Sequence, residues 1–331
     1  MPGPGEFELI REYFSSRFQA GTPPGGTADG GTSQDNIGNG VVLGIGDDCA
    51  LLAPPPGKLL ATSVDTLVAD VHFPAKADPY RIASRALRVN LSDLAAMNAQ
   101  PLWFTLALTL PQSNPEWLEP FARGLAETAH QYGITLIGGD TTKGPLSITI
   151  QVTGACDRPL RRDGASAGDI IFVTNQLGAA AAALPIVLGE IAGSPEQQQQ
   201  TAAAYYFPEP QFAVARAIGP YASAALDISD GLLGDLGHIC EASSLGAELE
   251  LDNFPVAQLA QSMNADTALE AALTGGDDYQ LCFTLPEQHL STIESLKLPV
   301  TAVGRIVSKP GIRCRLHDKS WQPGSASYQH F

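Results

Sequence analysis

The sequence predicts a mixed α/β fold in two domains, and three observations carry that reading. A chain of 331 residues is long enough for about two domains. A hydrophobic content of 44% can fill a core and is too high for a disordered chain. Short apolar strands alternate with helical stretches from one end to the other.

The elements follow in order. Phe7–Phe18 has the spacing of a short amphipathic helix. Residues 19–40 are rich in Gly, Thr, Pro and Asn and read as a flexible loop. Val41–Ile45 and Leu59–Val64 are expected strands, Pro79–Ala99 a long helix and Trp103–Leu110 a strand. Pro115–Tyr132 is a helix, and Thr135–Ile137 and Ser147–Thr153 are strands. This gives a first domain over 1–155 and a second over 156–331, joined through the polar stretch Cys156–Gly168. The second domain opens with the strand Asp169–Thr174 and an Ala-rich helix near Gly178–Leu188. A Gln-rich loop at Gln197–Gln200, a helix over Pro210–Ile218 and a strand ending at Ile228 follow. Leu232–Ala242 reads as a helix, and Glu248–Leu251, Gln280–Thr284 and Val300–Val307 as strands.

Charge narrows the function. Nineteen Lys and Arg against 35 Asp and Glu give a formal net charge of −16. That argues against sequence-independent nucleic-acid binding and against docking on an anionic membrane. No apolar run reaches the roughly 18 to 20 residues of a spanning helix, and the first residues do not read as a signal peptide. Five scattered cysteines without a C-x-x-C pair read as reduced thiols of a cytoplasmic protein. An anionic substrate would need bound metal ions to supply positive charge here.

The aspartates sit where a bland surface would not place them. Gly44-Ile-Gly-Asp47-Asp48, Ser63-Val64-Asp65, Gly138-Gly139-Asp140, Asp227-Ile-Ser229-Asp230-Gly231 and Gly275-Gly-Asp277-Asp278 all fall at expected strand ends. Ligands gather at strand ends in α/β folds, and glycine lets them approach the backbone. On a helical wheel at ~100° per residue, Asp93 shares the stripe of Ile82, Ala86, Val89 and Met97. Arg81, Arg85, Arg88 and Ser92 form a separate polar face. An unpaired carboxylate on an apolar stripe is costly, so Asp93 pairs with a cation or binds metal. Asp230 alone could simply cap the helix from Leu232. Carboxylates with few His and no paired Cys select Mg²⁺ over Zn²⁺, which points to metal-dependent phosphoryl transfer or nucleotide chemistry. No G-x-x-x-x-G-K-[ST] phosphate loop is present.

Together these motifs resemble the thiamine-monophosphate kinases, along nearly the whole chain. The matching segments are Gly5-Glu-Phe, Gly44-Ile-Gly-Asp-Asp, Val64-Asp-Thr-Leu-Val with His72-Phe and Asn90-Leu-Ser-Asp-Leu-Ala-Ala-Met. Gly138-Gly-Asp-Thr-Thr-Lys-Gly-Pro, Arg162 with Gly164, Asp227-Ile-Ser-Asp-Gly-Leu, Gly275-Gly-Asp-Asp-Tyr and His330-Phe331 complete them. The resemblance extends to a wider group of ATP-binding enzymes similar to aminoimidazole ribonucleotide synthetase. It implies a homodimer joined through first-domain sheets, ATP as co-substrate without a phosphate loop, and transfer to thiamine monophosphate giving thiamine diphosphate. It implies Asp48, Ser63, the Val64 carbonyl, Asp65, Asp93, Asp140, Asp227 and Asp230 as holders of several Mg²⁺ ions. Gly139, Asp140, Arg162 and Ser229 would contact ATP, and His72, Asp277 and Tyr328 the thiamine phosphate. Asp93, Asp140 and Asp230 would carry the catalysis. Two positions depart from the family pattern: Asp277 stands where Glu is common, and Val64 where Thr is common.

The acceptor oxygen is a phosphate oxygen, already anionic near neutral pH, so no general base is required. The barrier is repulsion between polyanions and alignment of the attacking oxygen. Two other readings remain: an aminoimidazole ribonucleotide synthetase-like enzyme, and a non-catalytic divalent-metal-binding regulatory protein. The second predicts missing ligands, whereas every Asp position is filled.

Overall fold

Two sheets of different character organise the chain. The computed structural model describes residues 9–18, 40–324 and 327, so most of the Gly-rich 19–40 segment and Tyr328 lie outside it. The chain divides into two units: Met1–Leu94 with Ala99–Asp157, and Ala95–Asn98 with Arg158–Phe331. Among the described residues, no helix is long and apolar enough to cross a membrane.

The first unit begins with a helical segment, of π type over Ile10–Ser15 and α type over Ser16–Phe18. The short strands β1 (Val41–Leu43) and β2 (Leu51–Leu52) pair with each other. β3 (Leu59–Val68), helix α1 (Pro79–Ala96), β4 (Gln100–Leu110), helix α2 (Pro115–Tyr132), β5 (Thr135–Lys143) and β6 (Ser147–Cys156) follow. The sheet order is β3-β6-β4-β5, with only β4 and β5 parallel. Alternate residues of β6 show why the sheet is two-faced. Ile148, Ile150 and Val152 are fully buried, while Gln151 is exposed. α1 and α2 cross at Gly124, where any side chain would meet the Tyr80 carbonyl within 2.4 Å.

α1 is buried on more than its apolar stripe. Of the polar face expected from the sequence Arg81 is exposed, but Arg85, Arg88 and Ser92 are inside: Arg88 donates to the Tyr132 hydroxyl, to Gln131 Oε1 at 2.8 Å and to Ser84 Oγ at 3.1 Å. α2 has the bounds its punctuation predicts. Asn114 Oδ1 accepts the Glu116 N–H at 3.0 Å, Pro115 opens the helix, and Gly133 closes it at φ +65°.

The second unit contains β7 (Ile170–Thr174), α3 (Ala179–Val187), α4 (Pro195–Tyr206), α5 (Phe212–Ile218), β8 (Ala224–Ile228) and α6 (Leu232–Ala242). It continues with β9 (Gly246–Glu250), α7 (Ala265–Thr274), β10 (Gln280–Leu285), α8 (Leu290–Ser295), β11 (Val300–Val307), β12 (Gly311–Leu316) and β13 (Lys319–Trp321). These seven strands run β13-β12-β9-β11-β7-β10-β8. β7 is buried along its length because both faces are covered. Ile171 and Val173 pack with Leu232, Leu236 and Leu273, and Ile170 and Phe172 with Val214, Ile218 and Ile293. The helices thus sandwich the sheet.

Two expectations need correction. Gln197–Gln200 is not a loop: it lies in α4, started by a capping box between Ser194 and Gln197 with Pro195 at its first turn. Asp65 and Asp140 are not at strand ends: β3 runs on to Val68 and β5 to Lys143. Gly138 and Gly139 look like strand breakers in one dimension. In the sheet, Gly139 pairs with Leu106, and a side chain there would meet the Leu106 carbonyl oxygen at 1.9 Å.

Candidate active site

In the first unit, strand register decides which side chains meet. Ser63 lies opposite Val152 and Asp65 opposite Ile150, so both share the buried face of the sheet. Val64 points the other way and is 58% exposed. α1 brings Asp93 to the same place: Ser63 Oγ donates to Asp93 Oδ2 at 2.6 Å. One helical turn earlier, the buried Asn90 accepts the Asp65 N–H on Oδ1 at 3.1 Å and donates to the Ala86 carbonyl at 2.9 Å. Burial first, and then the neighbouring charge of Asp93, push the Asp65 carboxyl up to about 6.

A cleft of about 830 Å³ opens in the same unit. Gly46, Asp47 and Asp48 line it on one side and Gly138, Gly139 and Asp140 on another, with Phe14 and Leu106 among its apolar walls. Two of the glycine–aspartate motifs therefore share one cleft, and Asp48 and Asp140 are both exposed. His72 lies on the turn after β3, where its Nδ1 accepts the Val68 N–H at 3.0 Å. That bond places the proton of the neutral ring on Nε2.

In the second unit, two motifs far apart in sequence interlock. The Asp277 N–H donates to the Ser229 carbonyl at 2.7 Å, and the Tyr279 N–H to the Ile228 carbonyl at 2.8 Å. Gly231, at φ +106°, sits so close to Thr274 that a side chain would meet its carbonyl within 2.6 Å. Asp230 does not cap α6; the N-cap residue is Gly231, and no side chain caps it. Asp227 is buried in β8. Asp277 holds φ +70°, and its Oδ1 accepts the Tyr279 hydroxyl at 3.1 Å. Arg162 is exposed on the stretch before β7, where its carbonyl accepts the Ser243 hydroxyl at 3.1 Å.

The comparisons agree over the length of the chain. Residues 46–156 match the family of AIR synthase related proteins in its N-terminal domain, and residues 166–317 in its C-terminal domain. The chain is 42% identical over 318 residues to the thiamine-monophosphate kinase of Salmonella typhimurium, covering 91% of this chain and 90% of that one. The thiamine-monophosphate kinase from Stenotrophomonas maltophilia K279a superposes with a TM-score of 0.78 at 40% identity, covering 84% of this chain and 92% of that chain. AaThiL complexed with AMPPCP and TMP gives 0.76 at 29% identity, over 87% and 92%.

This chain belongs to the thiamine-monophosphate kinase family. Among the described residues, no three His, Cys, Asp or Glu side chains converge into a ready metal cage. The Ser63, Asp65 and Asp93 group nevertheless suits a hard cation: a hydroxyl and two half-buried carboxylates whose mutual repulsion a divalent ion would relieve.

Three residues brace these motifs without being singled out by the sequence as candidates. Asn90 sits in the same motif as Asp93, and its one-turn spacing was the available signal. Asp235, 5% exposed, accepts the N–H groups of Ser229 and Asp230, each at 3.0 Å. Burial pushes its carboxyl up to about 6. Asp278, 7% exposed, accepts the Gly178 N–H at 2.6 Å and the Ala180 N–H at 3.4 Å, at the start of α3. Burial outweighs these bonds and lifts it to about 7. Both hide beside acids that look identical in sequence, Asp230 and Asp277.

Proposed function

We propose that this chain transfers the γ-phosphate of ATP directly to thiamine monophosphate, giving ADP and thiamine diphosphate, the last step in making that cofactor. The observation that carries the reading is 42% identity to a thiamine-monophosphate kinase over 91% of the chain. The complex of AaThiL with AMPPCP and TMP supports both substrates.

In this reading Ser63, the Val64 carbonyl, Asp65, Asp93, Asp48 and Asp140 in the first unit, and Asp227 and Asp230 in the second, hold Mg²⁺. The bound ions would neutralise phosphate charge as the transfer proceeds. The chain's own work is to bind and orient. Gly139 would contact the nucleotide through the backbone of β5, and Ser229 and Arg162 would add a hydroxyl and a cation. Asp140, Asp93 and Asp230 would be the ligands nearest the chemistry, fixing where the substrates' phosphates sit. By the family resemblance His72, Asp277 and Tyr328, the last outside the described residues, would be the contacts of the thiamine phosphate. Tyr328→Ala should raise the KM for thiamine monophosphate several-fold, by about 1 kcal/mol of lost stacking, and leave that for ATP nearly unchanged.

The working form is a homodimer in the cytoplasm. β3 is an edge strand with Leu59, Leu60 and Val64 exposed at 57%, 49% and 58%, which supports association through the first domain, residues 1–155. Five unpaired cysteines support a reducing compartment.

An ADP-release assay tests the activity. ADP should appear with thiamine monophosphate and not with aminoimidazole precursors or without acceptor; turnover on the aminoimidazole precursors would replace the reading. The direct path is tested separately with Mg²⁺ and γ-labelled ATP, omitting the acceptor. Stoichiometric label on the protein, chased into thiamine diphosphate, would overturn it.

A further inference from the structure

We propose that Asp235 is a positioning residue: it fixes the backbone that presents Ser229 and Asp230. The proposal rests on the kinase reading given above for those two residues.

The geometry begins with a helix start that lacks a side-chain cap. Gly231 opens α6 with no side chain to satisfy nearby N–H groups. Asp235, in the first turn of α6, reaches back instead, and a single oxygen, Oδ2, accepts both the Ser229 and the Asp230 N–H at 3.0 Å. The opposite edge of the same loop is held by the second motif. Its carbonyls at Ile228 and Ser229 accept the Tyr279 and Asp277 N–H groups. A side chain at Gly276 would meet the Ser229 carbonyl at 2.6 Å, so the two loops are in contact with no slack. Main-chain donors on one edge and acceptors on the other are thus both engaged. Neither the Ser229 hydroxyl nor the Asp230 carboxylate has to brace its own loop, and α6 is not capped by Asp230.

A buried carboxylate is an expensive way to satisfy two amides unless their placement matters, since charged acceptors make shorter and stronger bonds than neutral ones. Asn in its place can present one oxygen to both N–H groups without the charge. Ala can present nothing.

The test compares Asp235→Asn and Asp235→Ala with the unaltered enzyme. It measures steady-state constants for both substrates, the thermal midpoint, and amide hydrogen exchange across residues 224–235. A positioning role predicts that Ala raises the KM for ATP or lowers kcat by about tenfold or more, and that Asn recovers most of the loss. The KM for thiamine monophosphate should move less than that for ATP. Exchange should speed up at Ser229 and Asp230 while β8 keeps its protection. If Ala does not fold, Asp235→Ser, whose hydroxyl is too short to span both N–H groups, takes its place under the same criteria, with Asn still expected to recover most of the loss. Wild-type constants in a folded Ala variant would overturn it. So would equal losses for both substrates that track the fall in thermal midpoint, which is a structural role only. The kinase reading is judged separately, on thiamine monophosphate-dependent ADP release by the unaltered enzyme, and the exchange result at Ser229 and Asp230 stands apart from it.

Discussion

The acids of the first unit and the buried acids of the second place the same side chain in opposite surroundings. Ser63, Asp65 and Asp93 meet where a strand face turns toward a helix, and the two carboxylates raise each other's cost. Asp235 and Asp278 lie deeper, and the chain's own N–H groups take up their oxygens. The difference teaches that burial alone does not mark a functional acid. What separates the two kinds is that main-chain N–H groups bind Asp235 and Asp278 and pull against their burial, whereas burial and the charge of Asp93 act on Asp65 in the same direction.

The strongest way to break this comparison is to remove charge from the first kind. Asp93→Asn keeps the shape and the acceptor for Ser63 but loses the charge a cation needs. Turnover should fall by at least about a hundredfold with the fold retained, and Asp230→Asn should match it. Mg²⁺ should raise the thermal midpoint of the unaltered chain and do so less in Asp93→Asn. Near-normal turnover in both variants at ordinary Mg²⁺ would remove the metal-holding role, and with it the contrast between the two regions.

The second kind is tested by pH. Asp278 is lifted from 3.8 to about 7 by burial. A carboxyl whose folded pKa is raised binds its proton more tightly folded than unfolded. Its contribution is therefore largest at pH below about 4 and is lost as pH rises toward about 7. Asp278→Asn has no proton to lose and keeps an oxygen for the Gly178 N–H. Relative to the unaltered chain, the Asn variant should gain stability across that window, by at most about 1.4 kcal/mol per pH unit. Urea midpoints at a series of pH values measure it. A difference that stays flat between pH 4 and 7 would place Asp278 in an environment that tolerates its charge.

That contrast also marks the limit of what the residues alone revealed. The helix over Pro115–Tyr132 was legible to the residue because its signals are local: Asn114 and Pro115 start it, and Gly133 ends it. The strand through Gly138 and Gly139 was cut short because its reason is the neighbouring strand, with the Leu106 carbonyl where a side chain would stand. α7, α8, β12 and β13 are not legible in the sequence, because packing rather than period completes their short patterns. Among the acids, glycine-flanked strand connections singled out Asp48, Asp140, Asp227 and Asp230. Nothing local separates Asp230 from Asp235, or Asp277 from Asp278. Only the fold shows which carboxylate an amide occupies.

The smallest effect is expected where acids belong to neither kind. Residues 19–39 contain Asp29 and Asp35 but only Ile37 and Ala20 and Ala28 as apolar side chains, and no phosphate-binding pattern. Such a stretch has little to bury and no donor set to offer a nucleotide. Its two ends are another matter. Phe18 meets Phe104 edge-on at 5.9 Å between ring centres. Gly40, at φ +71°, accepts the Ala53 N–H at 2.7 Å and has the Ala53 carbonyl oxygen 2.2 Å from where a side chain would begin. Replacing 19–39 with a shorter Gly-Ser linker, both ends kept, should leave kcat/KM for each substrate within about twofold, since loop-closure entropy changes slowly with length. Gly40→Ala should cost more than the whole replacement, about 1 kcal/mol or more in the urea midpoint, because both the backbone angle and the space forbid it. A large loss of ATP affinity on shortening, with the thermal midpoint unchanged, would move Asp29 or Asp35 into the first kind and redraw the comparison.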